Sequence, residues 1–207
     1  MKHAIKKTGL YVATAIALAF GCASAAQAAT VSWTDWTNTS AAASQVFGDL
    51  DINGAHVGVT FTGAYAFAQT TGGTNYWSPA APYLSSLAGN APPASDIIAL
   101  STGGAAKNTF SQPVAEPLIA LVSWNFGVPI EVLSYGSGYW GNGTPVLNPT
   151  STGFFGNGEV HGVIRLPGTY SSVTFTHTTE NWHGFTVGAI GLGNGNAVPE
   201  PGSVALI

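Results

Sequence analysis

Apolar side chains alternate with small polar ones along Val57-Gly58-Val59-Thr60-Phe61, along Val173-Thr174-Phe175 and along Phe185-Thr186-Val187-Gly188-Ala189. A period of two lets a strand bury one face and wet the other, whereas the buried stripe of a helix recurs every three or four residues. Between such segments stand Asn53-Gly54, Gly72-Gly73, Gly103-Gly104, Asn142-Gly143 and Asn157-Gly158. These pairs tolerate the positive φ angles of tight turns, so neighbouring strands are expected to run antiparallel. Ile97-Ile98-Ala99-Leu100 and Leu118-Ile119-Ala120-Leu121-Val122 are apolar at every position, as in strands covered on both faces. Further strands are predicted at 31–36, 109–114, 129–134 and 160–166, a short helix at 82–87, and no helical period persists for three turns after residue 28. The chain therefore reads as all-β, a single antiparallel β-sandwich or jelly-roll-like domain over 29–191.

Residues 70–95 break the pattern. They mix glycine and proline with Tyr76, Trp77 and Tyr83 and show no alternation. Structureless segments of this length are uncommon inside compact domains and usually serve as binding loops or lids.

The N-terminus carries Lys2, Lys6 and Lys7, an apolar stretch over 10–20, and small residues ending in Ala26-Gln27-Ala28. These are the three regions of a secretory signal, placed here at 1–28. The apolar stretch is shorter than the roughly 20 residues of a spanning helix. Cys22, the single cysteine, falls inside the signal, so the exported chain has to hold itself together by burial alone. After residue 28 the only fixed cations are Lys107 and Arg165 against nine acids, a net charge of −7. So few cations argue against nucleic-acid binding and against polybasic membrane attachment. Protonation of the acids should make the domain least soluble at low pH.

A glycine- and asparagine-rich linker over 192–197 leads to Val198-Pro199-Glu200-Pro201-Gly202-Ser203 and an apolar start at Val204. Coupled to the export signal, this resembles the opening of the PEP-CTERM sorting signal. In that family Val-Pro-Glu-Pro precedes a hydrophobic helix and an arginine-rich end. The chain stops at Ile207, so the resemblance covers about ten residues over 198–207. The body is similar to β-sandwich proteins bearing such tails through Trp33-Thr34-Asp35-Trp36, Thr109-Phe110-Ser111-Gln112-Pro113-Val114 and Glu180-Asn181-Trp182-His183-Gly184-Phe185. The resemblance implies recognition by an exosortase and transient contact with the membrane through the tail helix. It also implies residence at the envelope surface or outside a Gram-negative, exopolysaccharide-producing cell, in a biofilm setting.

Asp49-Leu50-Asp51-Ile52-Asn53-Gly54 matches the opening of a D-x-D-x-N-G calcium loop, but Thr60 stands where the closing acid belongs. The preferred reading is a hairpin turning at Asn53-Gly54 with Asp49 and Asp51 on its wet face. His177-x-x-Glu180-x-x-His183 places two imidazoles in phase with the buried face across a loop at 178–182. They could hold zinc with Glu180 as third ligand; the preferred alternative is bonding to backbone carbonyls. No cofactor is expected, calcium being the alternative and zinc the lesser one.

Glu159, Glu180, Glu131 and Asp96 are too scattered to nominate a glycosidase pair, and Gly136-Ser137-Gly138 lacks the G-x-S-x-G elbow. No catalytic residue is nominated and the protein is not expected to be an enzyme. Aromatic rings remain. Tyr76, Trp77, Tyr83, Trp140 and Trp182, with Tyr135 and Tyr139, are candidates for stacking on sugar rings, while Trp33, Trp36 and Trp124 are assigned to the core. The expected function is a non-enzymatic surface or matrix protein associated with exopolysaccharide, the rivals being a polysaccharide hydrolase and a calcium-dependent adhesion module.

Overall fold

The computed structural model describes residues 28–124, 131–138, 141–150 and 152–193. The expected export signal up to residue 27, Trp140 and the motif Val198, Pro199, Glu200, Pro201 lie outside the described residues. Among the described residues fifteen strands follow one another: β1 (Ser32–Trp33), β2 (Asp35–Ser40), β3 (Gln45–Ile52), β4 (Ala55–Thr62), β5 (Phe67–Gln69), β6 (Ile97–Leu100), β7 (Gly104–Ala115) and β8 (Leu118–Val122). The rest are β9 (Glu131–Gly136), β10 (Thr144–Leu147), β11 (Phe154–Asn157), β12 (His161–Arg165), β13 (Thr169–His177), β14 (His183–Ala189) and β15 (Gly191–Leu192). The short helix expected at 82–87 is a single 3-10 turn at Ala81–Tyr83. No helix among the described residues is long and apolar enough to cross a membrane.

The first sheet has the order β5-β6-β14-β8-β12-β9 with β1 beside β14, the second has the order β13-β7-β4-β3-β2 with β15 beside β7, and β10 and β11 form a separate two-stranded ribbon. Every pairing is antiparallel. The two sheets pack face to face, which makes the domain an all-β, sandwich-like fold. β15 carries the ordered chain past the expected boundary at 191: Leu192 pairs with Val114 and the Gly193 N–H donates to the Pro113 carbonyl at 2.8 Å. The first residues assigned to the linker thus belong to the sheet.

The hairpin between β3 and β4 is built as its turn chemistry requires. Asn53 (φ 53°) and Gly54 (φ 85°) both adopt left-handed angles, as a type I′ turn demands. The Asp51 carboxylate accepts the Gly54 N–H at 2.6 Å, and Asp49 holds His56 Nδ1 at 2.6 Å. Each acid of the candidate calcium loop is thus engaged within its own hairpin. Asp49 and its neighbour Asp51 hold the exposed His56 imidazole above its ordinary pKa.

Alternate residues of the first sheet feed two separate cores. Ile98, Leu100, Ile119, Leu121, Phe185 and Val187 meet Val46, Leu50, Val57, Val59 and Phe61 between the sheets. Ile97, Leu118, Ala120, Val122 and Val163 face outward instead, and there Trp77, Tyr83, Ala88, Val31 and Trp33 cover them. Segment 70–95 is therefore a third layer over the sheet, which explains why β6 and β8 are apolar at every position and why β14 is buried throughout. Each large side chain so buried contributes on the order of 2 kcal/mol.

Of the two fixed cations in the domain, Arg165 is structural. It lies opposite Glu131 across the β9–β12 pairing, bonds that carboxylate through Nη2 at 2.5 Å, and reaches Glu116 in the β7–β8 turn at 2.9 Å. Its side chain is 13 % exposed while those of Glu116 and Glu131 are 34 % and 46 % exposed. Water can rescue the acids but not their partner. Arg165→Met is expected to cost about 1–2 kcal/mol, less than for a fully buried pair, and to lower the thermal midpoint by several degrees.

Candidate functional site

Three strand ends meet at one edge of the first sheet. Val122 closes β8 and pairs with His161 at the start of β12 on one side and with Gly184 near the start of β14 on the other. The register brings the residues just outside these ends together: Ser123 and Trp124 after β8, Glu159 before β12, and Glu180, Asn181 and Trp182 before β14. Ser123 turns the chain away with φ 62°, and its hydroxyl donates to the Glu159 carboxylate. A side chain at Gly156 would stand 2.7 Å from the Trp124 carbonyl, so the glycine lets the β11 segment close the wall.

Together Ser123, Trp124, Gly156, Gly158, Glu159, Glu180, Asn181 and Trp182 line a cavity of about 360 Å³. An adjoining depression of about 330 Å³ shares Ser123, Glu159, Asn181 and Trp182. Trp182 is half-buried, held edge-on by Tyr76 at 5.1 Å between ring centroids and at a tilt by Phe67 at 5.9 Å. Among the described residues, Glu159 and Glu180 are the charged groups of this wall, and neither Lys107 nor Arg165 belongs to it.

Behind the cavity sits the histidine cluster. His183 Nε2 meets His177 Nδ1 at 2.9 Å, a hydrogen bond that requires one ring to donate and the other to accept. The Trp124 ring packs against the His183 ring at 4.6 Å, and its indole N–H donates to the Gly184 carbonyl at 2.5 Å. Burial, reinforced by the proximity of His177, pushes His183 down to about 4. Burial likewise lowers His177, against the opposing pull of a hydrogen bond to the Thr178 backbone. Both rings are neutral at pH 7.

His177, Glu180 and His183 come together around the His183 ring. Glu180 faces His183 Nδ1 at 3.7 Å while His177 faces Nε2, so the two flank opposite nitrogens of the same ring and the three do not converge on one point. No group of three His, Cys, Asp or Glu among the described residues is placed to hold a metal ion. Of the expected bonds to the backbone, His177 makes one, at Thr178, and the two rings bond each other as well. His183 Nδ1, on a side chain only 1 % exposed, has no hydrogen-bond partner and points toward Glu180.

The aromatic candidates separate. Trp77 is 2 % exposed and Tyr83 fully buried, ring against ring at 5.2 Å in the outer core, so neither presents a face to a ligand. Their segment looked like a free loop because it lacks alternation, but a covering layer needs none. Tyr76 supports Trp182 rather than acting by itself, and Trp182 alone of the described candidates reaches the cavity wall. Tyr135 is 52 % exposed and lines a different, more apolar cavity of about 450 Å³ with Leu84, Leu133 and Leu147 beside the edge strand β9. Sequence reasoning missed Ser123, Glu159 and Asn181 as neighbours. Their shared signal is position: each stands at a strand end, and only the β14-β8-β12 pairing puts those ends side by side.

Compared with protein-family models, curated proteins and solved structures, the chain matches none.

Proposed function

We propose that this is an exported, non-enzymatic protein of the cell surface or extracellular matrix that contacts exopolysaccharide through the cavity at Trp182. The carrying observation is the composition of that wall: the half-buried Trp182 beside the buried Trp124, a hydroxyl, an amide and two carboxylates around a space of about 360 Å³. An aromatic face takes the C–H side of a sugar ring while the polar groups take its hydroxyls. The signal pattern at 1–28 and the Val198-Pro199-Glu200-Pro201 motif support export and handling by an exosortase in a Gram-negative envelope.

Affinity electrophoresis in gels containing the producing cell's exopolysaccharide tests the reading. The unaltered protein is expected to be retarded, and Trp182→Ala to lose most of that retardation while melting within a few degrees of the unaltered chain, since its ring is only half-buried. Equal retardation of both proteins would remove the cavity as the contact. A hydrolase is a second reading, favoured by the placement of Glu159 and Glu180 on one cavity. Release of reducing ends that Glu180→Gln abolishes would establish it in place of the binding function.

A further inference from the structure

β9 and β10 follow one another in the chain, and consecutive antiparallel strands ordinarily pair. Among the described residues, however, β9 pairs only with β12, at the end of the first sheet, and β10 pairs only with β11. Between them lies the cavity of about 450 Å³ to which Tyr135 belongs, lined by residues 132–135 on one side, Pro145 and Leu147 on the other, and Leu84 of the covering layer. Side chains on one face of a strand recur at every second residue, so four consecutive lining residues mean that the groove runs along the edge of β9, where its outward N–H and C=O groups stand. β9 carries none of the usual protection of an edge: it has no proline and no lysine, and Glu131 at its first position is its sole charge.

Apolar surface collects at the same place. Among the described residues the large hydrophobic side chains that stand exposed are Leu84, Tyr135, Val146, Leu147 and Phe155. Three of them line the groove, and Val146 and Phe155 lie opposite each other on the ribbon that walls it. Such a concentration marks a contact surface.

We infer that the groove receives a single extended peptide strand of a partner protein, apolar at alternate positions and basic at one end, which adds to the first sheet beside β9. The unpaired edge offers a ladder to its backbone, while Leu84, Tyr135 and Leu147 receive its alternate side chains. Pro145 has no N–H to give, so β10 walls the guest and β9 supplies the pairing. Four lining residues of β9 make an edge of about 13 Å, room for four residues of the guest. Charge selects the chemistry of its end. At the head of the groove Arg165 is shared between Glu131 and Glu116, two carboxylates on one cation, and the rest of the lining is uncharged. The surplus is negative, in a domain of net charge −7, which draws a lysine or arginine and repels an acid. A second copy of this chain is a poor guest: it brings the same negative charge, and its own β9 is held along one edge by β12 and cannot lie between two strands.

Titration calorimetry with three capped hexapeptides at neutral pH and low salt tests this: KVTVTV, its acidic counterpart EVTVTV, and KVTVTV methylated on its backbone nitrogens. KVTVTV is expected to bind one to one, EVTVTV about fivefold more weakly, and the methylated peptide about tenfold more weakly or worse, since it keeps the side chains and loses the donors of the ladder. Tyr135→Ser should weaken KVTVTV about fivefold with little change in thermal midpoint, because its ring is half-exposed. The comparison among peptides needs no variant, so it decides the matter even if a substitution disturbs folding.

Failure of KVTVTV to bind, or equal binding of the methylated peptide, overturns strand addition, and equal binding of EVTVTV overturns the charge matching. A dimer in sedimentation velocity that Tyr135→Ser dissolves overturns the proposal in favour of a second copy. None of these outcomes touches the sugar-contact reading, which rests on Trp182.

Discussion

Replacing Trp77 with alanine is expected to cost about 3–5 kcal/mol, the range for deleting a buried tryptophan, and to lower the thermal midpoint by roughly 6–20 °C for a domain of this size. The ring is 2 % exposed and stands perpendicular to Tyr83, with its indole N–H donating to the Asp96 carbonyl at 3.2 Å. Removing it opens the outer core over Ile97, Leu118 and Val122, leaves the Asp96 carbonyl without its donor, and loosens a Tyr83 hydroxyl that already lacks a hydrogen-bond partner. Phe155→Ala is the matched control: at 67 % exposed it should move the midpoint by a degree or two. Thermal melts followed by circular dichroism decide it. A Trp77→Ala protein melting close to the unaltered one would mean that segment 70–95 is a detachable flap and not a layer of the fold.

That segment also shows where sequence reading stopped. β6 and β8 were readable to the residue, because an all-apolar run bounded by polar residues has one economical interpretation. β14 read as half-buried from Phe185, Val187 and Ala189, yet Thr186 is buried too and accepts the Trp36 indole N–H at 3.0 Å. The layer that covers the outer face of this sheet has no ladder of its own and therefore no period. Its backbone is satisfied one bond at a time: Asn90 accepts the Val31 N–H and donates to the Val31 carbonyl, Asn75 accepts the Trp77 N–H, and Ser85 accepts from Leu87 and Ala88. Short polar side chains doing this work leave only a turn-like composition in the sequence.

The candidate site failed to show for a different reason. Each of its residues obeys its local rule, with Ser123, Glu159 and Trp182 all lying just outside strands whose approximate places were predicted. What brings them together is that β8 lies between β14 and β12, neither of them its neighbour in the chain. Alternation reports which face of a strand is buried and says nothing about which strand pairs with which. The aromatic candidates were accordingly chosen by the company of glycines and prolines, a criterion that found Trp182 but also took in Trp77 and Tyr83.

Acid should unfold this domain before its carboxylates are exhausted. His161 is fully buried with neither ring nitrogen bonded, and burial pushes it down to about 4; His183 is lowered to the same value. A histidine with a depressed folded pKa is protonated first in the unfolded chain, so both subtract stability as pH falls from about 6.5 toward 4. Asp96 works in the opposite sense. Its burial raises it to about 6, against the Trp36 N–H that it accepts at 2.9 Å, so the folded state takes up that proton before the unfolded chain does and gains stability as pH falls through 6. His177 is lowered too and the exposed His56 is raised, and the two histidines brought down to about 4 outweigh Asp96. Between pH 7 and 5 the histidines together remove about 4 kcal/mol and Asp96 returns about 1, a net loss of about 2–3 kcal/mol, or roughly 4–12 °C in thermal midpoint. Melts in buffers of equal ionic strength should show this fall, and His161→Asn should make it shallower whatever that substitution does to stability at pH 7. A midpoint that rises on acidification would mean that relief of carboxylate repulsion in so negative a domain, together with Asp96, overrides the buried imidazoles.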